Sequence, residues 1–263
     1  MDKRRIALSI EYNGSAYAGW QRQKNALSIQ EVLEDALSSL CTESVTVTGA
    51  SRTDSGVHAR GQIAHFDTDC SIPDDRFSFA LNTMLPPDIR IQRSWEVSPD
   101  FHSRFQAKGK IYSYRFLNAP HNSALLFPYV WHIPSSLDPD RMRESLPSLL
   151  GKHDFSPFMA AGNQSKTTTR TLYHAELVQE GNLLTFYVYG DGFLYNMVRI
   201  IAGSLAYIGL GKEDTDLFSR AFSTRSRLTL GPTAPPQGLC LEKVYYEIVP
   251  WEQTGFFGNN PIR

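Results

Sequence analysis

Cysteine is scarce in this chain of 263 residues: it has three, and no two of them form a CxxC pair. Such spacing argues against a disulfide framework and against a structural zinc site, which both need closely placed cysteines. Charge of either sign is not in excess, because 26 lysines and arginines face 27 acidic residues, for a net charge of -1. The cysteines therefore predict a protein of the reducing cytoplasm. Because the net charge is close to zero, binding of a nucleic acid would need basic residues clustered on one part of the surface.

Long apolar runs and the best-known catalytic motifs are missing as well. The most apolar segment, residues 193–210, is interrupted by Asn196, Arg199 and Gly203 and is too short to cross a membrane. The sequence has no GxxxxGKS/T phosphate loop, no HExxH and no GxSxG, and its seven histidines show no paired ligand spacing. We predict no membrane segment, no metal and no cofactor, and we interpret residues 193–210 as a buried core helix.

The first 105 residues alternate strand and helix patterns. The run "IALSIE" predicts a strand, and "SIQEVLEDALSSL" predicts a helix, in which Ser28 and Glu31 have capping-box spacing. Two runs with strand character, "SVTVTGA" and "GQIAHFDT", flank a loop, and "RFSFALNTML" and "IRIQRSWEV" add a helix and a strand. The resulting β-α-β-β-α-β order is that of a ferredoxin-like unit.

From residue 106 the patterns begin again. "GKIYSYRFLN" predicts a strand, "DPDRMRESLPSLLG" a helix and "LYHAELVQEGNLLTFYVYGD" a hairpin, while "TDLFSRAFSTRS" and "LCLEKVYYEIV" predict a further helix and a closing strand. We predict an α+β fold with two ferredoxin-like lobes, residues 1–105 and 106–250, and a tail at 251–263. We also expect a central, largely antiparallel sheet and an active-site cleft between the lobes.

The loop "ASRTDSGVHAR" carries the most unusual group of side chains. Its residues 53–56, "TDSG", are common turn formers, so one interpretation is an ordinary turn. The other is that Arg52, His58 and Arg60 surround the Asp54 carboxylate with positive potential, which keeps it ionised as a nucleophile or base. Arginines beside an acid also suit a substrate with phosphates, because guanidinium groups bind phosphate oxygens two at a time.

Arg199 bears on the same question. It lies within an apolar helix, where an unpaired charge costs several kcal/mol, so we expect it to meet a carboxylate or the backbone carbonyls of a neighbour. One possible partner is Asp54. The alternative is a structural acid such as Asp191 or Glu176.

Aromatic residues offer a second class of candidates. Tyr112 and Tyr114 alternate with other residues along a predicted strand, so both lie on one side of it. By default they are packing residues, and if they line a cleft, a ring there is a stacking platform for a nucleobase. We interpret Trp20 and Phe66 as core residues.

Six motifs, in this order along the chain, resemble the TruA-type tRNA pseudouridine synthases. They are "YNGSAYAGWQRQ", "SIQEVLEDAL", "SRTDSGVHARGQIAHF", "KGKIYSYRF", "FLYNMVRIIAG" and "GLCLEKVYY". The resemblance implies the pseudouridine synthase fold and a cofactor-free isomerisation, in which uridine in RNA loses its N1 glycosidic bond and is rejoined to the ribose through C5. It implies the anticodon stem-loop of tRNA, at positions 38, 39 and 40, as substrate, and a homodimer as the usual state.

The same resemblance implies roles for individual residues. Asp54 matches the family's catalytic aspartate, and Arg199 the arginine that pairs with it. Tyr112 matches the tyrosine that stacks on the target base, and Arg52 the arginine that helps to hold the flipped nucleotide. An ionised Asp54 could add to C6 of the ring, attack C1′ of the ribose or promote loss of a C2′ proton, and the sequence does not choose among these routes. Ser51 departs from the family, which usually has glycine there, and serine would add strain if the position has positive φ.

The residues also leave two other functions open. A ferredoxin-like sheet with exposed aromatics suits a non-catalytic RNA-binding module, in which Asp54 is a turn residue. A hydrolase with Asp54 as base needs a second acid or a metal, and the sequence offers neither with convincing spacing. For tRNA binding by a near-neutral chain, we expect basic residues to be concentrated along the cleft, including Arg22, Arg52, Arg60 and Arg170.

Overall fold

A computed structural model describes residues 3–160, 162 and 166–254. Its contacts divide the chain into two compact units, residues 1–107 with 240–246 and residues 108–239 with 247–263. The first unit is thus completed by residues 240–246, which follow residues 108–239 of the second unit in the chain. Of the predicted tail at 251–263, the part from residue 255 onward lies outside the described residues, and the predicted lobe boundaries stay a prediction.

Ten strands and five α-helices follow one another along the described chain. They are β1 (Arg4–Tyr12), α1 (Ile29–Cys41), β2 (Thr48–Gly49), β3 (His58–Thr68), α2 (Phe77–Met84), β4 (Ile89–Val97), β5 (Gly109–Asn118), β6 (Trp131–Ile133), α3 (Pro139–Ser145), β7 (Gly151–Asp154), β8 (Thr169–Glu180), β9 (Leu183–Gly190), α4 (Met197–Gly209), α5 (Leu217–Thr224) and β10 (Leu239–Tyr245). Within the described ranges, no helix combines the length and the apolarity that crossing a bilayer requires. The fold class is α+β, as predicted.

The first unit has the predicted β-α-β-β-α-β order. β1 pairs antiparallel with β3 and with β4, and β2 pairs antiparallel with β3. β10 adds a short parallel pairing to β3, where Cys240 lies opposite His58 and Leu241 opposite Ala59. β2 is much shorter than the predicted strand "SVTVTGA", since only Thr48 and Gly49 take part in the pairing.

Helix α1 shows how local sequence sets the frame of this unit. The Ser28 side chain accepts the N–H of Glu31 at 3.2 Å, which confirms the N-terminal cap. Ile29, Leu33 and Leu37 follow helical period and are fully buried, so one apolar face packs into the core.

The second unit does not complete the repeat predicted for it, because the predicted closing strand, β10, belongs to the first unit and the second unit ends in α4 and α5. β5 pairs antiparallel with β9, β9 with β8 and β8 with β7, while β6 runs parallel to β5. The sheets of both units are therefore largely antiparallel. α3 is shorter than the pattern predicts, because the chain tightens into a 3-10 turn at Leu146–Leu149, where Pro147 has no N–H to donate. α4 is the predicted core helix, and it begins at Met197 rather than at Phe193.

Candidate active site

The loop between β2 and β3, which carries Asp54, is held by the backbone of residues 14–20. The Trp20 N–H donates to the Thr53 carbonyl at 3.0 Å, and the Gly56 N–H donates to the Tyr17 carbonyl at 3.3 Å. A turn closes where the Val57 N–H donates to the Asp54 carbonyl at 3.1 Å, with Gly56 at a φ of +76°. Asp54 is thus part of a turn, and its side chain is half-buried.

Two glycines allow the backbones to come this close. A Cβ atom on Gly14 would lie 2.0 Å from the Val57 carbonyl oxygen, and one on Gly19 would lie 2.6 Å from the Thr53 carbonyl oxygen. No side chain fits at such distances, so the glycines of "YNGSAYAGW" fix where the Asp54 loop can lie.

Buried polar side chains hold the loop from its other side. The hydroxyls of Tyr12 and Thr53 are hydrogen bonded at 2.7 Å. Gln62, which is fully buried, accepts the Ser51 N–H at 3.1 Å and donates its amide to the Ser51 carbonyl at 2.7 Å. Backbone groups of Ser51 that would be costly to bury alone are therefore satisfied.

Ser51, the departure from the family pattern, lies in ordinary backbone. The non-glycine residues with positive φ in the described chain are Thr42, Asn196 and Arg225, so serine adds no left-handed strain at position 51. Its hydroxyl oxygen is buried and has no hydrogen-bond partner among the described residues. The substitution thus affects burial of a polar group rather than backbone geometry.

The three basic residues expected around Asp54 differ in their contacts. His58 is buried, and its Nδ1 accepts the Gly14 N–H at 3.1 Å, so it helps to seat the neighbouring backbone. Arg60 lies 3.7 Å from the buried carboxylate of Glu242, with which it forms an ion pair inside the first unit. Arg52 is exposed to solvent. Of the three, His58 is buried, whereas Arg52 and Arg60 are both exposed.

Tyr112 and Tyr114 lie on β5 in the second unit. Tyr114 is fully buried and donates its hydroxyl to the Pro235 carbonyl at 2.8 Å. Burial raises the pKa of Tyr114, although the charge of Arg199 opposes that shift, so the hydroxyl stays protonated. Tyr114 is therefore a packing residue. Tyr112 keeps 7% of its surface exposed, and its ring meets that of Phe193 edge to face, with centroids 5.1 Å apart.

Arg199 lies near the start of α4, and two hydrogen-bond acceptors orient its guanidinium group. Its Nε donates to the Ala234 carbonyl at 2.8 Å, and a terminal nitrogen donates to the Asn196 side-chain oxygen at 2.8 Å. A return bond from the Ala234 N–H to the Arg199 carbonyl, at 3.0 Å, joins the helix to residues 230–235. The predicted contact with a neighbour's carbonyl is confirmed, and the pairing with Asp54 stays a prediction.

The acids proposed as alternative partners of Arg199 have contacts of their own. Asp191 accepts the Thr171 N–H at 2.9 Å. A carboxylate oxygen of Glu176 lies 3.5 Å from the imidazole of His174. Within the described ranges, no group of three or more His, Cys, Asp or Glu residues is arranged to hold a metal ion.

Comparison with known proteins identifies the family. The family model described as tRNA pseudouridine synthase matches residues 8–106 and 146–247. The chain belongs to the tRNA pseudouridine synthase family. A protein of Ruminiclostridium cellulolyticum named tRNA pseudouridine synthase A is 49% identical over 244 residues, which cover 92% of this chain and 100% of the relative. Proteins with the same name are 48% identical in Acetivibrio thermocellus and 46% identical in Geobacter sulfurreducens, each over 243 residues, again 92% of this chain and 100% of the relative.

Family membership decides between the functions that the sequence leaves open. A tRNA pseudouridine synthase is an isomerase that acts on tRNA. The two other hypotheses for this protein, a non-catalytic RNA-binding module and a hydrolase, are therefore set aside. The fold agrees, because both units have the predicted mixed α+β arrangement.

Two of the basic residues expected to bind tRNA, Arg22 and Arg170, already have partners within the protein. Arg22 donates to the Glu34 carboxylate at 2.9 Å, and further acids lie within 4 Å of it. Arg170 donates to the backbone carbonyls of Thr167 and Thr169. Both arginines are thus held by neighbouring oxygens of their own unit.

Sequence reasoning missed Arg104, in the stretch "FHSRF" after β4. Arg104 is exposed to solvent, and the pKa of its guanidinium is lowered by desolvation of the part that is covered and then by the charge of Arg52. A signal was present, since an arginine here stands between aromatic residues, yet its nearness to Arg52 depends on tertiary contacts that no spacing rule reveals.

Proposed function

We propose that this tRNA pseudouridine synthase converts uridine to pseudouridine at positions 38, 39 and 40 of the anticodon stem-loop, with Asp54 as the catalytic nucleophile. The observation that carries the proposal is the rigid seating of the Asp54 loop. Gly14 and Gly19 leave room for the backbone of this loop. Hydrogen bonds of Thr53 and Ser51 hold the loop in place, and Asp54 is half-buried. A positioned carboxylate is what covalent or general-base catalysis needs.

The chemistry requires no net oxidation or reduction. The N1–C1′ bond breaks, the C5–C1′ bond forms, C5 loses a proton and N1 gains one. Attack at C6, attack at C1′ and removal of a C2′ proton all need an ionised carboxylate. We propose that Arg199 supplies the stabilising charge, because a guanidinium about 4 Å from a carboxylate attracts it by about 4 kcal/mol at an effective dielectric near 20.

The remaining site residues act on the nucleotide. A base in a stem must be extruded at a cost of a few kcal/mol, and an exposed arginine can brace the vacated space. Arg52, exposed on the Asp54 loop, suits that role. Tyr112, edge to face with Phe193, suits stacking on the extruded base. We propose Arg52, Tyr112 and Arg199 as substrate-binding residues.

The cellular setting is part of the proposal. We propose a homodimer that works in the cytoplasm and takes the anticodon stem-loop of tRNA as its partner. Three cysteines without a CxxC pair suit a reducing compartment. Sedimentation of the purified chain tests the dimer: a single species of about twice the chain mass supports it, and a monomer at micromolar concentration contradicts it.

Release of tritium from uracil C5 of unmodified tRNA tests the activity. The wild-type chain should release it, and Asp54→Asn should abolish release while tRNA affinity stays within a few fold. Asp69→Asn is the matched control, because Asp69 is an exposed acid of the same unit whose nearest basic contact, Lys3, is 3.9 Å away. Release by Asp54→Asn at the wild-type rate would show that Asp54 is not the nucleophile.

Transcripts that carry uridine at one of the three positions test the site of modification. Each should be modified by the wild-type chain, and a transcript with its uridines elsewhere in the stem-loop should not be. Modification confined to other positions would contradict the assignment while leaving the catalytic role of Asp54 intact.

A further inference from the structure

A second part of the first unit combines an exposed ring with positive charge. It is residues 101–105, "FHSRF", which follow β4 and are called here the FHSRF segment. Phe105 is 75% exposed, and the guanidinium carbon of Arg104 lies 5.9 Å from the centroid of its ring. A single exposed ring is common on protein surfaces, but a ring paired with arginine is the combination that binds nucleobases and phosphates.

The FHSRF segment is anchored at Ser103. The Ser103 hydroxyl donates to the Thr48 carbonyl at 2.7 Å, and its N–H donates to Nδ1 of His65 at 3.2 Å. The Ser103 carbonyl accepts the Tyr246 hydroxyl at 2.9 Å, and the rings of Phe101 and Tyr246 pack with centroids 4.9 Å apart. A surface held in this way loses little conformational entropy when a ligand binds.

His102 positions the exposed ring. Its imidazole lies 4.2 Å from the Phe105 ring, centroid to centroid, and Nδ1 accepts the N–H groups of Arg104 and Phe105 at 3.2 and 3.3 Å. Burial lowers the pKa of His102, and the charges of Arg5 and Arg104 add to the effect. The imidazole therefore stays neutral near pH 7 and keeps its acceptor. Phe105 is fixed in place although most of its surface faces solvent.

Arg104 carries positive charge towards the Asp54 loop. Arg104 comes directly after Ser103, whose hydroxyl donates at 2.7 Å to the carbonyl of Thr48, six residues before Asp54. Burial, and then the charge of Arg52, lower the pKa of Arg104. Among the described residues, no carboxylate forms an ion pair with Arg104. A phosphate suits such a place, because its oxygens accept from guanidinium groups in pairs and relieve the repulsion between like charges.

We propose that the FHSRF segment binds the RNA strand beside the target nucleotide, with Phe105 stacked on an unpaired base and Arg104 on an adjoining phosphate. The inference rests on the proposed function, in which Arg52 holds the flipped nucleotide. Anticodon loops offer unpaired bases, and recognition of single-stranded RNA commonly uses such stacking. Every base has a π-face, so a stacking contact of this kind tolerates different neighbouring bases and suits an enzyme that acts on more than one position.

Affinity and turnover are measured separately with the full chain. Phe105→Leu keeps an apolar side chain but removes the ring, and it should weaken binding of unmodified tRNA about 5- to 100-fold. Phe105→Trp should bind as the wild type does. Arg104→Gln should reduce the steepness of log affinity against log salt, between 50 and 200 mM, by about one phosphate contact. Melting temperatures of all variants should stay near the wild-type value, because the altered side chains lie at the surface.

Arg76 and Phe79 on α2 are the matched control. Phe79 is 65% exposed, and the Arg76 guanidinium carbon lies 5.5 Å from its ring centroid, so the pair has the same arrangement of ring and guanidinium, with the difference that Arg76 lies 3.7 Å from the Asp75 carboxylate. Phe79→Leu and Arg76→Gln should leave tRNA affinity and its salt dependence unchanged. Equal losses in the two pairs would overturn the inference.

The two proposals fail in different ways. If the wild type releases tritium while Phe105→Leu and Arg104→Gln bind tRNA as the wild type does, the FHSRF segment is not part of the RNA site. If the wild type binds tRNA but releases no tritium, the proposed function fails, and weaker binding by the two variants still supports the segment. A wild-type chain that binds no tRNA overturns both.

Discussion

Gly19 lies against the backbone of Thr53, one residue before Asp54. A Cβ atom on Gly19 would be 2.6 Å from the Thr53 carbonyl oxygen and 3.0 Å from the Asp54 carbonyl carbon, and the φ of Gly19 is +94°. Space and backbone conformation therefore both demand glycine. The placement of the proposed nucleophile depends on a residue that has no side chain.

Gly19→Ala should displace the Asp54 loop. We expect a loss of about 1–3 kcal/mol in the free energy of unfolding and a fall of about 100-fold in turnover, since a 1 Å misplacement of a reacting group costs that much. Gly181→Ala is the control: its φ is +58°, and a Cβ there would meet nothing within 4 Å. Urea unfolding and tritium release measure the two effects, and equal turnover in both variants would contradict the prediction.

Tyr12→Phe removes a buried partner of Thr53. The hydroxyl bond of 2.7 Å is lost, and the Thr53 oxygen is left in the core, so unfolding should become easier by about 1–3 kcal/mol. Thr53→Val alone should cost a similar amount, and the double variant less than the sum of the two, because the pair acts as a unit. Strict additivity in urea unfolding would show that the bond contributes nothing.

Ser51→Ala should be neutral or stabilising by up to about 1 kcal/mol, because it removes a buried hydroxyl that has no partner among the described residues. Ser51→Gly, which restores the residue usual in the family, should destabilise by about 0.5–1 kcal/mol, since φ is not positive there and glycine only adds freedom to the unfolded chain. Thermal unfolding of the two variants in parallel checks both signs. Higher stability of the glycine variant than of the alanine variant would contradict this account.

His65 makes stability depend on pH. Burial, followed by the charges of Arg5 and His102, lowers its pKa from 6.5 to about 4. As pH falls, the unfolded chain takes up the proton first, so this contribution to stability is complete above pH 6.5 and is lost between pH 6.5 and 4. His65→Asn should flatten the pH dependence of the unfolding free energy in that window. An unchanged slope in that window would contradict this account of His65.

Arg199→Lys should lower both melting temperature and turnover. One ammonium group cannot reproduce the guanidinium bonds to the Ala234 carbonyl and the Asn196 side chain, each 2.8 Å long. Arg199→Gln should lose more, because the charge is also removed. Arg220→Lys is the control, since Arg220 pairs with the acids Glu213 and Asp216 at the surface, where ion pairs contribute little. A stable and fully active Arg199→Gln would overturn both roles given to Arg199.

Local sequence determined most of the fold that could be predicted. Three features depend on only a few neighbouring residues, and each is confirmed: the cap of Ser28 on α1, the hairpin turn at residues 180–182 and the alternation along β5. β2 could not be bounded, since its length depends on how much of β3 is available for pairing. β6 and β7, at three and four residues, are too short to show a period.

The site was predictable where its residues share a motif. The run "TDSG" predicts a turn, and the hydrogen bond from the Val57 N–H to the Asp54 carbonyl confirms it. Partners that lie far apart in the sequence escaped prediction: Arg60 meets Glu242, which lies on β10. These relationships arise when strands distant in the chain come together, and a single sequence carries no periodic signal for them.

β10 has a consequence for the order of events during translation. It joins β3 at His58 and Ala59, immediately after the Asp54 loop, and Tyr246 then anchors Ser103 of the FHSRF segment. The ribosome makes residues 108–239 before it makes this strand. A nascent chain therefore builds residues 108–239 of the second unit while the first still lacks its last strand, and the Asp54 loop and the FHSRF segment gain the support of β10 and Tyr246 only after that long stretch has been made.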